Sequence, residues 1–96
     1  AVPVIDAART YVHEEIAPGG THANAMFLRD WVSYADEVAE PERLLLCDAQ
    51  TSGGLLIAVD PDKADELIAA LQEAKTPCAT RVGTLVEGEA GKISVA

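Results

Sequence analysis

The chain has 96 residues, room for one domain of ordinary size and no more, which excludes a multidomain enzyme within this segment. Sixteen Asp and Glu against seven Lys and Arg leave a net charge of −9 and a pI near 4.4, a balance that repels a phosphate backbone and excludes nucleic acid as the expected partner. Apolar residues make up 49% and charged residues 24%, so the chain can bury a core, and with only Tyr11, Phe27, Trp31 and Tyr34 as aromatics that core must be mainly aliphatic.

The chain opens at Ala1 rather than methionine and its first periodic element begins almost at once, so it reads as a piece of something longer. From Pro3 to Ala17, Ile5, Ala8, Val12 and Ile16 recur at helical spacing, and Pro18-Gly19-Gly20 is expected to stop that helix. Residues 22 to 38 follow neither strict alternation nor a 3.6-residue period and read as mixed helix and loop. Pro41 to Cys47 reads as a short helix with Glu42 in its first turn, and Asp48 to Gly54 as a loop.

Leu55-Leu56-Ile57-Ala58-Val59 is a continuous apolar run too short for an independent helix, and predicts a central strand covered on both faces. Asp60 is placed to cap the next helix, with Pro61 in its first turn and Ala64, Leu67, Ile68, Leu71 and Ala74 on its apolar stripe. Lys75-Thr76-Pro77 ends it. Cys78 to Val86 then predicts a strand, Glu87 to Gly91 a turn, and Lys92 to Val95 a returning strand, together a hairpin. The expected class is α+β, a mixed or antiparallel sheet covered by helices. The opening helix and residues 22 to 38 have no strands of their own to cover, so part of the sheet is expected to lie elsewhere.

Cys47 and Cys78 show neither zinc-site pairing nor the density of a disulfide scaffold, so a reducing cytoplasm is the expected setting. No run approaches the roughly 18 apolar residues of a membrane span, and no membrane partner is expected. Two small-residue stretches can approach a ligand or another chain closely: Gly19-Gly20-Thr21 with Asn24, and Asp48-Ala49-Gln50-Thr51-Ser52-Gly53-Gly54. Each has a plainer reading, helix stop and cap for the first, tight turn before a strand for the second. The second also lacks the lysine and the strand-loop-helix order of a phosphate cradle. His13 and His22 have no second ligand at metal spacing, and Cys47, at the end of Leu44-Leu45-Leu46, reads as a buried inert thiol. Asp60, Asp62 and Asp65 fail as a calcium loop because Ala64 and Asp65 stand where an oxygen ligand and a glycine are needed.

Asp48 to Val59, Asp-Ala-Gln-Thr-Ser-Gly-Gly-Leu-Leu-Ile-Ala-Val, resembles the carboxy-terminal motif of the selenophosphate synthetases, or selenide, water dikinases. Pro18-Gly19-Gly20-Thr21 with Asn24 is similar to that family's GGTxxN loop, Glu42 to Cys47 to its leucine-rich helix, and Val82 to Gly88 with Lys92-Ile93 to its terminal hairpin. Residues 25 to 40 match loosely, and Ala49 stands where many members have proline. The resemblance implies the fold of the aminoimidazole ribonucleotide synthetase superfamily and an enzyme that uses ATP, magnesium, selenide and water to make selenophosphate, the donor for selenocysteine and for selenium-modified tRNA.

On that reading residues 1 to 96 are part of the carboxy-terminal domain, with no second domain, and their partner is an amino-terminal ATP-binding domain. The family's reactive cysteine or selenocysteine, its lysine and its magnesium aspartates lie in upstream motifs without counterpart here. No catalytic, cofactor or metal residue is therefore assigned, and the segment is expected to be inactive alone. Gly20, Thr21, Asn24, Asp48, Gln50, Thr51, Ser52, Gly53 and Gly54 are the candidate substrate-cleft loops. A truncated domain leaves strand edges and apolar faces open, so the chain is expected to form homo-oligomers. The rival readings are a binding or assembly module without chemistry and the carboxy-terminal portion of a relative such as thiamine-monophosphate kinase.

Overall fold

A Schellman-type stop, rather than the Pro18-Gly19-Gly20 triplet, ends the first helix. In the computed structural model, which describes residues 1–96, α1 runs over Asp6–His13. Glu15 then takes a left-handed φ of 61°, and its amide and that of Ile16 return to the carbonyls of Val12 and Tyr11 at 3.1 and 2.9 Å. Pro18 has the opposite role to the one expected: extended at φ −61°, ψ 148°, it is the N-cap of α2, Gly19–Leu28, whose first turn contains both glycines. The stretch read as mixed helix and loop thus resolves into α2 followed by the strand β1, Val32–Tyr34. The short helix is present as α3, Glu40–Leu45, with Pro41 in its first turn.

The chain divides into two compact units, one formed by residues 4–53 and 88–96, the other by residues 1–3 and 54–87. In the first, α1 and α2 both pack on α3, and Val12, Cys47 and Thr21 are its buried residues. Arg9 of α1 pairs with Glu42 of α3, and His13 Nε2 lies 3.8 Å from the same carboxylate. The sheet of this unit has two strands, β1 and β2, Ile93–Val95, paired in parallel with Val32 opposite Ile93, Ser33 opposite Ser94 and Tyr34 opposite Val95. The expected antiparallel hairpin is therefore replaced: the returning strand forms, but its partner is β1. The amides of Ile93 and Ala35 extend the ladder to Trp31 and Val95 carbonyls at 2.9 and 2.8 Å. Residues 78–86 form no strand to pair with, and β2 takes β1 as its partner.

In the second unit the helix following the apolar run is as expected. Asp60 Oδ1 accepts from the Asp62 amide at 2.9 Å, a 3₁₀ turn over Pro61–Lys63 leads in, and α4 covers Ala64–Glu73. Ala64, Leu67, Ile68 and Leu71 are its half-buried stripe, whereas Ala74, expected on the same stripe, is the exposed C-cap, followed by the left-handed Lys75, φ 56°. The predicted central strand does not form. Residues 54–59 take part in no backbone hydrogen bond outside helices and strands and belong to neither, and Leu55 and Leu56 are 89% and 83% exposed. β-propensity fixes a segment's preference for extension, but a strand also needs a neighbour to satisfy its amides and carbonyls, and none is offered. Cys78 to Val86 lacks a ladder for the same reason, and Leu85 and Val86 are likewise exposed.

Candidate functional site

The two small-residue stretches are brought together inside the first unit, but as a helix and a loop rather than as two loops. Gly20, Thr21 and Asn24 lie on α2, and Asp48 to Gly53 leave the end of α3. Thr21 is 1% exposed. Its hydroxyl donates to Asp48 Oδ1 at 3.0 Å and accepts from the Ala49 amide at 3.3 Å. One turn along, Asn24 Nδ2 donates to the Cys47 carbonyl at 3.0 Å. Gly20 completes the contact, since a Cβ there would stand 3.0 Å from the Ala49 Cβ. A side chain at Gly20 would thus push the loop away from the helix.

Beyond Ala49 the loop faces solvent: Gln50, Thr51, Ser52 and Gly53 are all exposed, and Gly54 begins the other unit. A Cβ at Gly53 would meet Gln50 Oε1 at 2.8 Å, a contact that the flexible amide can relieve. Asp48 is half-buried and forms no ion pair with any Lys, Arg or His of the chain. It also borders a cavity of about 160 Å³ whose wall, including Ala8, Val12 and Leu45, is largely apolar and in which Asp48 is the one charged residue.

The buried Cys47 continues this arrangement toward β1. Its Sγ lies 3.7 Å from the Tyr34 hydroxyl. Burial, reinforced by the hydrogen bond and the charge interaction with Cys47, pushes the Tyr34 phenol up to about 12, against a smaller lowering by Arg43. The Arg43 guanidinium sits 5.4 Å over the Tyr34 ring and donates to the carbonyls of Val38 and Ala35 at 2.6 and 3.2 Å. Sequence reasoning missed this arginine as an organiser of the site; the available signal was the helix's one cation, set directly beside Leu44-Leu45-Leu46.

The groups this arrangement leaves exposed on the loop are neutral hydrogen-bonding ones, the Gln50 amide and the Thr51 and Ser52 hydroxyls. Cys47 is enclosed and Cys78 is exposed in the other unit. His22 is exposed on α2 and His13 faces Glu42 on the surface of α1 and α3. No three His, Cys, Asp or Glu side chains converge as metal ligands. No helix is long and apolar enough to cross a membrane.

This helix-and-loop unit with its small sheet falls within a known class. The family model described as AIR synthase related protein, C-terminal domain, matches residues 12–96, and the chain belongs to that family. Within the class, the resemblance is to selenide, water dikinases. The chain is 40% identical over 94 residues to the selenide, water dikinase of Carboxydothermus hydrogenoformans, covering 98% of this chain and 27% of that protein. With the protein of the same name from Pseudomonas aeruginosa it shares 40% identity over 98 residues, covering 99% and 26%, and with that from Aliarcobacter butzleri 36% over 85 residues, covering 88% and 25%. It therefore spans about a quarter of the length of these curated relatives. No solved structure matches it.

Proposed function

We propose that this chain is the latter part of the carboxy-terminal domain of an ATP-dependent selenophosphate synthetase, which converts selenide, ATP and water to selenophosphate, AMP and phosphate. In that enzyme it forms a wall of the substrate cleft and supplies no catalytic group. The supporting observation is that similarity to selenide, water dikinases extends over nearly the whole chain, including the loop that leaves α3 at Asp48. Phosphoryl transfer works by positioning and by neutralising the developing charge with metal ions and basic groups. A chain of net charge −9 whose loop offers an amide and two hydroxyls contributes to the first and not the second. ATP and magnesium belong to residues of an amino-terminal domain, the partner this segment needs, and the isolated segment is inactive. A cytoplasmic location is part of the same proposal.

Thr51 and Ser52 carry the test. Replacing both by alanine in the longer enzyme removes two hydrogen-bonding groups at an exposed position, where loss of stability is within about 0.5 kcal/mol. The expected result is a KM for ATP or for selenide raised about tenfold, as for one or two lost hydrogen bonds. Unchanged kinetics for both substrates would remove the loop from the cleft.

A further inference from the structure

We infer that Thr21 is the positioning residue of the Asp48–Gly53 loop, acting through Asp48 and Ala49 rather than on substrate. A hydroxyl has one proton to give, and Thr21 gives it to Asp48 Oδ1 while its oxygen accepts the Ala49 amide. Both bonds are made by a side chain enclosed by protein, so the Thr21 hydroxyl has no solvent to turn to when they break. The Asn24 bond to the Cys47 carbonyl and the close approach of Gly20 to Ala49 act on the same three consecutive residues. None of these ties reaches Thr51 or Ser52. Helix α2 therefore holds the root of the loop and leaves its hydroxyl-bearing tip free to meet a ligand.

This assigns separate tasks to residues that the sequence grouped together. Thr21 and Asn24 set where the tip stands, whereas Gln50, Thr51 and Ser52 make contact. The buried Thr21 spends its only proton on Asp48 and is enclosed by protein, which leaves it no donor for a substrate. The functional consequence rests on the cleft-wall reading above; the mechanical consequence does not.

Two measurements test the two parts. Thr21→Val keeps the shape and removes both bonds, and Thr21→Ser keeps the hydroxyl. In the 96-residue chain, hydrogen exchange at the Ala49 amide is expected to be about tenfold faster in Thr21→Val and to return to within about threefold of the original in Thr21→Ser. Equal protection of Ala49 in Thr21→Val would overturn the assignment. In the longer enzyme, Thr21→Val should raise KM about tenfold for whichever of ATP and selenide the Thr51/Ser52 double alanine affects, with kcat falling less than about twofold and with rescue by Thr21→Ser.

Should Thr21→Val fail to fold, Asp48→Ala removes one of the two bonds, the one that Thr21 donates, from the half-buried side. It is expected to raise the same KM, and Asp48→Asn, whose amide oxygen still accepts from Thr21, to recover part of it. A Thr51/Ser52 effect on KM with no response to Asp48→Ala would overturn positioning and leave the cleft wall standing. Silence of the Thr51/Ser52 variant would remove the cleft wall, and Ala49 exchange would then decide positioning alone, with Asp48→Ala replacing Thr21→Val if the latter does not fold.

Discussion

Two residues hold helix-ending conformations that their side chains disfavour. Glu15 and Lys75 stand at φ 61° and 56°, each at the position where a helix commonly ends on glycine. In both cases the following amide reaches back five residues to close the last turn, Ile16 to Tyr11 at 2.9 Å and Thr76 to Leu71 at 3.1 Å. The Thr76 hydroxyl adds a second bond to the Leu71 carbonyl at 2.9 Å, so the α4 terminus is the more firmly held. Left-handed backbone costs an ordinary L-residue about 1–2 kcal/mol, part of which glycine returns as unfolded-state entropy. Lys75→Gly and Glu15→Gly are therefore each expected to stabilise their own unit by about 0.5–1 kcal/mol, and chemical denaturation should show a higher midpoint with an unchanged slope. Pattern reading cannot find these positions: neither residue type signals a left-handed conformation, and Pro18-Gly19-Gly20 carries the stronger stop signal nearby.

At the scale of elements, what was legible in the sequence was whatever a segment decides locally. The Asp60 cap, Pro61, the half-buried stripe of α4 and the Pro41 start of α3 all depend on neighbours within a turn or two, and all are found. β2 was legible as a strand but not its partner, because alternation fixes which residues face alike and leaves orientation open. The parallel pairing depends on an approach that only the folded unit provides. Gly91, at φ 84°, turns the chain into β2 where a Cβ would stand 3.1 Å from Trp31 Cζ3. Lys92 then donates to the Asp30 carbonyl at 2.7 Å with its ammonium 5.1 Å over the Trp31 ring. Gly91→Ala combines a disfavoured φ with crowding against an aromatic ring, and a loss of about 1–3 kcal/mol is expected. Faster hydrogen exchange at Ile93 and Ala35, with α4 unaffected, would locate the damage at β2; unchanged exchange at both amides would show that Gly91 does not hold the strand in place. The candidate site was legible only as a list. That Thr21 and Asn24 lie on a helix and bind the backbone and carboxylate of the second stretch required the two to be seen side by side.

For the molecule as a whole, the question is what covers the run from Leu55 to Val59. Its backbone is unpaired and Leu55, Leu56 and Ile57 are 89%, 83% and 51% exposed, the arrangement that natural sheets avoid at their edges. The relatives are about four times as long, and in a protein of that length the cover can come from the same polypeptide. For the chain alone, a second copy is the available partner. Each Leu or Ile removed from water contributes about 1.5–3 kcal/mol, and three from each copy exceed the lower estimates of the association cost, about 4 kcal/mol. The opposing term is the −9 charge on every copy, which salt screens over about 8 Å at physiological ionic strength. Association is accordingly expected to be weak, to increase with protein concentration and to strengthen as salt rises, the reverse of a complex held by ion pairs. Light scattering should report a mass above 10.1 kDa that grows in this way, and Leu56→Lys, which places a charge within the apolar run, should return it toward the monomer. A monomer at every concentration and salt level would show that the exposed run does not drive association of this chain.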